Sequence, residues 1–112
     1  MSREDERDLE AVTHMVAAAE LILQFAKGGQ RRFLADIRTQ SAIERQFEIM
    51  GEAARRLSQT FRDAHPEVPW RTIIALRNNL IHGYDDVVPA KLWDIIGKAL
   101  RPTLQTLRAL LK

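Results

Sequence analysis

The chain has no cysteine in 112 residues. That excludes a disulfide framework and any thiolate metal site, and it fits a cytoplasmic protein. Glycine and proline are scarce, at five and four residues. No stretch alternates apolar and polar residues over six or more positions, so a half-buried sheet is not expected. No apolar run approaches about 18 uninterrupted residues, the length of a membrane span. The best early run, Ala11 to Ala26, is broken by His14, Glu20 and Gln24 and follows acidic residues, unlike a secretory signal. The charge nearly balances, 17 basic against 15 acidic residues, so attraction to a polyanion rests on local arrangement rather than net charge. No repeat, linker or low-complexity segment is visible.

What is present is helical spacing. A chain of this length can bury roughly two thirds of its unfolded surface, enough for one modest core. Ser2 and Asp5 have N-cap spacing, and Glu4, Asp5, Glu6 and Asp8 suit a helix N-terminus. Leu9, Val12, Val16, Ala19, Leu23 and Ala26 form the apolar stripe of a first helix that ends at Gly28-Gly29. After a short turn at 31–35, a second long helix is predicted over 36–61. Its buried face is Ile43, Phe47, Met50, Ala54 and Leu57, and Gly51 in its middle implies a close approach by another helix. A third helix is predicted from Pro69, as its first residue, to His82, with Gly83 as its C-terminal cap. Its apolar residues Trp70, Ile73, Ile74, Leu76, Leu80 and Ile81 spread over more than one face, which predicts a central place. The last helix is predicted over 88–111, with a kink near Lys98 to Arg101 caused by Pro102. The expectation is an all-α, antiparallel bundle of four to five helices, one domain over residues 1–112.

Thirteen of the 17 basic residues are arginine, the side chain whose planar fork matches phosphate. One arginine lies in "RNNLIHGYDD", at 77 to 86. Arg77 and His82 are five residues apart, roughly 140° of rotation on an ideal helix, so they do not start on one face. Asn78 and His82, four apart, do. An imidazole titrates near pH 6.5 and can exchange a proton at neutral pH. Arginine can stabilise a phosphate gaining charge, and asparagine can position an oxygen. These are the groups needed to cleave RNA without a metal, through its 2′-hydroxyl. A histidine in a last helical turn followed by glycine is also an ordinary helix end. Spacing alone leaves both readings open.

Arg77-Asn78 followed by His82-Gly83-Tyr84 resembles the Arg-x4-His-x-Tyr signature of the HepT-like toxins of the HEPN superfamily of helical ribonucleases. "IMGEAARRLS" at 49 to 58, "HPEVPW" at 65 to 70 and "LWDII" at 92 to 96 are similar to segments of that family in the same order. The resemblance covers about positions 5 to 111. It implies a HEPN bundle, usually a homodimer, with two copies of the motif facing each other across a cleft. It implies an RNA substrate, with Arg77 and His82 catalytic, and no metal or cofactor. It further implies a partner antitoxin of the minimal nucleotidyltransferase (MNT) type, which transfers AMP from ATP to the tyrosine of the motif, here Tyr84. Asn78 and Glu52 are expected to support the site, Glu52 by orienting Arg77. Asp85 and Asp86 place negative charge beside it and have no assigned role. A different class of reading is a non-catalytic HEPN module that binds a nucleotidyltransferase or a nucleotide.

Other residues have plainer readings. His14 and His65 suit packing or turns, and no histidine pair has metal-binding HxxxH spacing. Trp70 and Trp93 suit core or interface anchoring. Arg31-Arg32 and Arg55-Arg56 suit a solvated surface that could extend an RNA track. A DNA-binding helix-turn-helix lacks its short glycine-containing turn here.

Overall fold

The computed structural model describes residues 1–83 and 87–112. The described residues form an all-α bundle, 46 × 27 × 20 Å. Helix α1, Arg3–Phe25, begins with the expected capping box. Ser2 Oγ accepts from Asp5 N–H at 3.0 Å and Asp5 accepts from Ser2 N–H at 3.2 Å. A 3₁₀ turn, Ala26–Gly28, leads to the short α2, Gln30–Ala35. Helix α3, Ile37–Arg56, is capped by Asp36. The short α4 covers Gln59–Ala64 and α5 covers Trp70–Ile81. Helix α6, Pro89–Ile95, runs through a π-helical turn, Ile96–Leu100, into α7, Arg101–Leu110.

Helix α3 packs on α1 along one side and on α5 along another, while α1 also packs on α7. Ile43, Phe47, Met50, Ala54 and Leu57 of the α3 segment are buried as expected. The stripe of α1 has a different phase from the one expected. Ala11, Val12, Met15, Ala18, Ala19 and Ile22 are buried, whereas Leu9, Val16, Leu23 and Ala26 are only half covered. Two neighbours, α3 and α7, share α1, and the line between them sets the buried face. An 18-residue window within Arg3–Gly28 reaches a mean hydropathy of 1.3, long and apolar enough by composition alone to cross a bilayer, although no uninterrupted apolar run is that long. Its apolar side here forms much of the core: Val12, Met15, Ala19 and Ile22 are fully buried.

The second long helix is two. Leu57 is extended, with φ −66° and ψ 141°. Ser58 then caps α4 by accepting from Phe61 N–H at 3.1 Å. The break is held from outside by Asp8 of α1, whose carboxylate accepts from Ser58 N–H and Ser58 Oγ–H, both at 2.8 Å. Pro69 is the cap residue ahead of α5 rather than its first helical residue. Gly83 takes φ +67°, the left-handed conformation expected of a helix cap. The kink expected from Pro102 takes the form of the π turn. A wider turn ahead of proline accommodates its missing N–H and its ring.

Helix α5 is not central. Among the described residues its main packing partner is α3, and only Trp70 of its own residues is buried. Ile73, Ile74, Leu76 and Leu80 are half covered, and Ile81 is exposed. Between α5 and the α6–α7 rod lies an apolar groove of about 130 Å³, floored by Phe47 and Met50 of α3. Thr72, Ile73 and Leu76 line one wall, and Ile95, Ala99, Leu100 and Thr103 the other.

Candidate functional site

Arg77, Asn78 and His82 sit in the last turns and cap of α5. The helix ends here because Gly83 can turn left-handed and end the helical ladder. His82 is the cap residue, with φ −79° and ψ −3°, and its backbone N–H donates to Asn78 O at 3.0 Å. Its side chain is exposed. The Asn78 Oδ1 accepts from Arg77 Nη1 at 2.8 Å. Asn78 therefore bonds the Arg77 side chain, while its backbone bond to His82 N–H is an ordinary rung of the helix ladder. The charge-assisted bond to Arg77 fixes one end of the guanidinium.

Arg77 is half covered, and its Nε is buried with no hydrogen-bond partner. Its stem lies against Gly51 of α3. A Cβ built on Gly51 would overlap the Cβ of Arg77 and stand 2.8 Å from its Cγ and 3.2 Å from the carbonyl oxygen of Ile73. The mid-helix glycine thus marks the close helix approach that the sequence implied, and Arg77 is the residue pressed into it. Which helix and which residue would meet Gly51 was not legible. The available signal was a glycine on the buried face of a strongly amphipathic helix.

Glu52, expected near Arg77, lies with its carboxylate 3.5 Å from Arg45 Nη1, and Arg45 also meets Glu48 at 3.1 Å. The Arg77 guanidinium meets Asn78 instead. On the same helix the Glu44 carboxyl is pushed above its ordinary range, first by burial and then by the neighbouring Glu48. Tyr84, Asp85 and Asp86 lie outside the described residues. Among the described residues no group of three or more His, Asp or Glu is placed to hold a metal ion.

The remaining residues singled out in the sequence have structural places. His14 Nδ1 lies 3.0 Å from Arg56 Nη2, and because arginine only donates, Nδ1 is the acceptor in this contact. Trp70 is buried and donates from Nε1 to His65 O at 2.9 Å. His65 also packs on Phe61 in a tilted arrangement, ring centres 4.5 Å apart. Trp93 packs on Phe33, ring centres 5.4 Å apart. Arg31, Arg32, Arg55 and Arg56 are exposed, with Arg32 3.7 Å from Asp36.

Comparison with known proteins agrees with the family resemblance read in the sequence. A family model described as "Ribonuclease HepT-like" matches residues 15–110. The chain is 38% identical over 89 residues to the "Probable ribonuclease HepT" of Thermococcus cleftensis, covering 79% of this chain and 80% of that one. It is 34% identical over 92 residues to a protein of Methanocaldococcus jannaschii named as a putative RNase, covering 80% of this chain and 84% of the relative. A similarly named protein of Caldanaerobacter subterraneus is 34% identical over 88 residues, covering 78% and 79%. No solved structure matches the chain. With its all-α bundle and its ordered motif, the chain belongs to the HepT-like ribonuclease family.

Proposed function

We propose that this protein is a metal-independent endoribonuclease. In this reading it is the toxin of a toxin–antitoxin pair and is silenced when an MNT-type nucleotidyltransferase adds AMP to Tyr84. One observation carries the proposal. Arg77, bonded to Asn78, and the exposed His82 stand within the last turns and cap of α5, in a chain whose curated relatives are named as ribonucleases.

The chemistry follows from the groups. The His82 imidazole takes the proton from an RNA 2′-hydroxyl. The freed oxygen attacks the adjacent phosphorus, and the bond to the 5′-oxygen breaks as that oxygen takes up a proton. Arg77 faces the phosphate oxygens, where negative charge accumulates in the transition state. Because the reaction uses the 2′-hydroxyl, DNA is not a substrate. A single α5 starts Arg77 and His82 roughly 140° apart. A homodimer supplies a second copy of each, so groups from two chains can flank one phosphate. The half-covered Ile73, Ile74, Leu76 and Leu80 of α5 support such pairing, since they leave apolar surface for a second copy to bury.

AMP on Tyr84, two residues beyond His82, would put a bulky anion beside the site and compete with the RNA backbone. A phenol is mostly protonated at neutral pH. The modifying enzyme must therefore supply a base, together with metal-bound ATP.

The test is cleavage of RNA by purified protein. His82→Ala should lower the rate by about 10²- to 10⁴-fold, the usual size of a general acid–base contribution. Helical content should be retained, and wild-type cleavage should persist in EDTA. Wild-type cleavage by His82→Ala would sink the mechanism and favour a non-catalytic binding module. For the modification, the protein is incubated with its partner nucleotidyltransferase, magnesium and ATP, and its intact mass is taken. A gain of AMP that is lost in Tyr84→Phe is expected. No gain, or a gain that persists in Tyr84→Phe, would leave neutralisation to simple binding.

A further inference from the structure

Glycine in a helix interior is disfavoured, and Gly51 lies inside the 20-residue helix α3. Other described glycines have room for a side chain. Nothing stands within 4 Å of a Cβ built on Gly29, Gly83 or Gly97, and at Gly28 the neighbour is the flexible side chain of Arg32. At Gly51 the missing Cβ is replaced by the root of Arg77 and by the α5 backbone at Ile73. A side chain there would have to push α5 away from α3, and Arg77 would move with it.

Arg77 is a long side chain with many rotamers, yet three features confine it. Its Cβ and Cγ sit over Gly51. Its Nε is buried and unpartnered. Its Nη1 is bound to Asn78 at 2.8 Å. The stem over Gly51 and the bond to Asn78 hold the side chain with its Nε buried between the two. A cation held in place before substrate arrives needs no reorganisation during reaction. Side-chain freedom lost in the folded protein is also not lost again at the transition state.

We propose that Gly51 is a positioning residue: the vacancy left by its missing side chain is the seat that fixes Arg77 against α3 and aims its guanidinium at the phosphate. This rests on the reading of Arg77 as the phosphate-stabilising group. Gly51 itself touches no substrate and acts only through Arg77.

The experiment compares four full-length proteins: wild type, Gly51→Ala, Arg77→Ala and the double variant. Each is checked for helical content, then used in single-turnover cleavage of a labelled, mixed-sequence single-stranded RNA over a range of protein concentrations. A displacement of about 1 Å can lower a rate on the order of 10²-fold, so Gly51→Ala should cut the maximal rate by about 10- to 10²-fold. The concentration for half-maximal rate should change little, because affinity for RNA is spread over many phosphate contacts. The double variant should be no slower than Arg77→Ala alone. A general loss of structure would instead slow the double variant further.

A folded Gly51→Ala at the wild-type rate, or a double variant well below Arg77→Ala, overturns the proposal while leaving the role of Arg77 intact. Wild-type cleavage by Arg77→Ala overturns the role of Arg77 and the proposal with it. If Gly51→Ala does not fold, the seat is read in the wild-type protein by NMR. The Arg77 Nε–H, identified as the signal lost in Arg77→Lys, should exchange with water far more slowly than that of exposed Arg55. Equal exchange rates would overturn the proposal.

Discussion

Asp8 is the one polar or charged side chain among the buried described residues, at 3% exposure. Its two oxygens accept from Ser58 N–H and Ser58 Oγ–H, both at 2.8 Å. Hydrogen bonds to a charged group contribute roughly 1.5–3 kcal/mol, and a buried group left unpaired costs about 1–3 kcal/mol. Asp8→Ala removes both acceptors and leaves Ser58 N–H in a partly buried place. We expect it to destabilise the fold by about 2–3 kcal/mol, a range set by those same interactions. Asp8→Asn, which retains one acceptor oxygen, should lose less. Urea denaturation at one fixed protein concentration measures both. A loss in Asp8→Ala below about 0.5 kcal/mol, the size of an ordinary surface change, would show that the clamp contributes nothing special.

At the scale of the element, α3 carries two carboxyls with opposite pH behaviour. Asp36 caps the helix, accepting from Thr39 Oγ1–H at 2.8 Å and Arg38 N–H at 3.0 Å. The Thr39 bond first, and the Arg38 N–H second, hold its carboxyl below the ordinary value. A group depressed in the folded state stabilises the fold above its unfolded pKa, and that stability is lost as pH falls through the folded value. Asp36→Asn keeps an N-cap oxygen without the titration. The advantage of wild type over Asp36→Asn should therefore be present at neutral pH and disappear in strong acid. Glu44 is raised, first by burial and then by Glu48. Ionised Glu44 opposes folding at neutral pH, and the penalty is relieved as pH falls through its raised folded pKa towards the unfolded value. Glu44→Gln should be more stable than wild type at neutral pH, with the gain vanishing in that acid window. Denaturation curves at several pH values separate the two, and a pH-independent difference in either variant would contradict the assignment. The α6–α7 rod is the other informative element. Pro102 was legible as a disturbance, but its form as a π turn at Ile96–Leu100 was not. Proline dictates where the ladder must adjust, while packing of Ile96 and Leu100 into the core fixes how.

At the scale of the molecule, a single chain does not finish covering its own apolar surface. The groove between α5 and the α6–α7 rod is walled by Ile73, Leu76 and Ile95 and floored by Phe47 and Met50. A homodimer at micromolar concentration is the expected outcome in sedimentation. A charge buried without a partner is strongly unfavourable. Leu76→Glu should therefore shift the protein to monomers while α1 and α3, which carry the main core, stay helical. A wild-type monomer at micromolar concentration would remove the two-chain account of the site. The central position expected for α5 followed from its apolar residues lying on several faces. The apolar spread was read correctly, but this chain covers the second face only by half, because its own helices pack α5 mainly on α3.

The sequence by itself determined the all-α class, the caps at Ser2 and Gly83, and the group of Arg77, Asn78 and His82 at one helix end. These rest on interactions within a few residues, so spacing and residue type suffice to read them. Tertiary structure decided the rest. Asp8 meets Ser58 across 50 positions and splits one expected helix into α3 and α4. Gly51 meets Arg77 only because α3 and α5 approach closely there. The buried face of α1 was set by two neighbours whose positions its own periodicity cannot contain. Each depends on which surfaces meet once the chain has folded, and that is decided by packing the whole core at once.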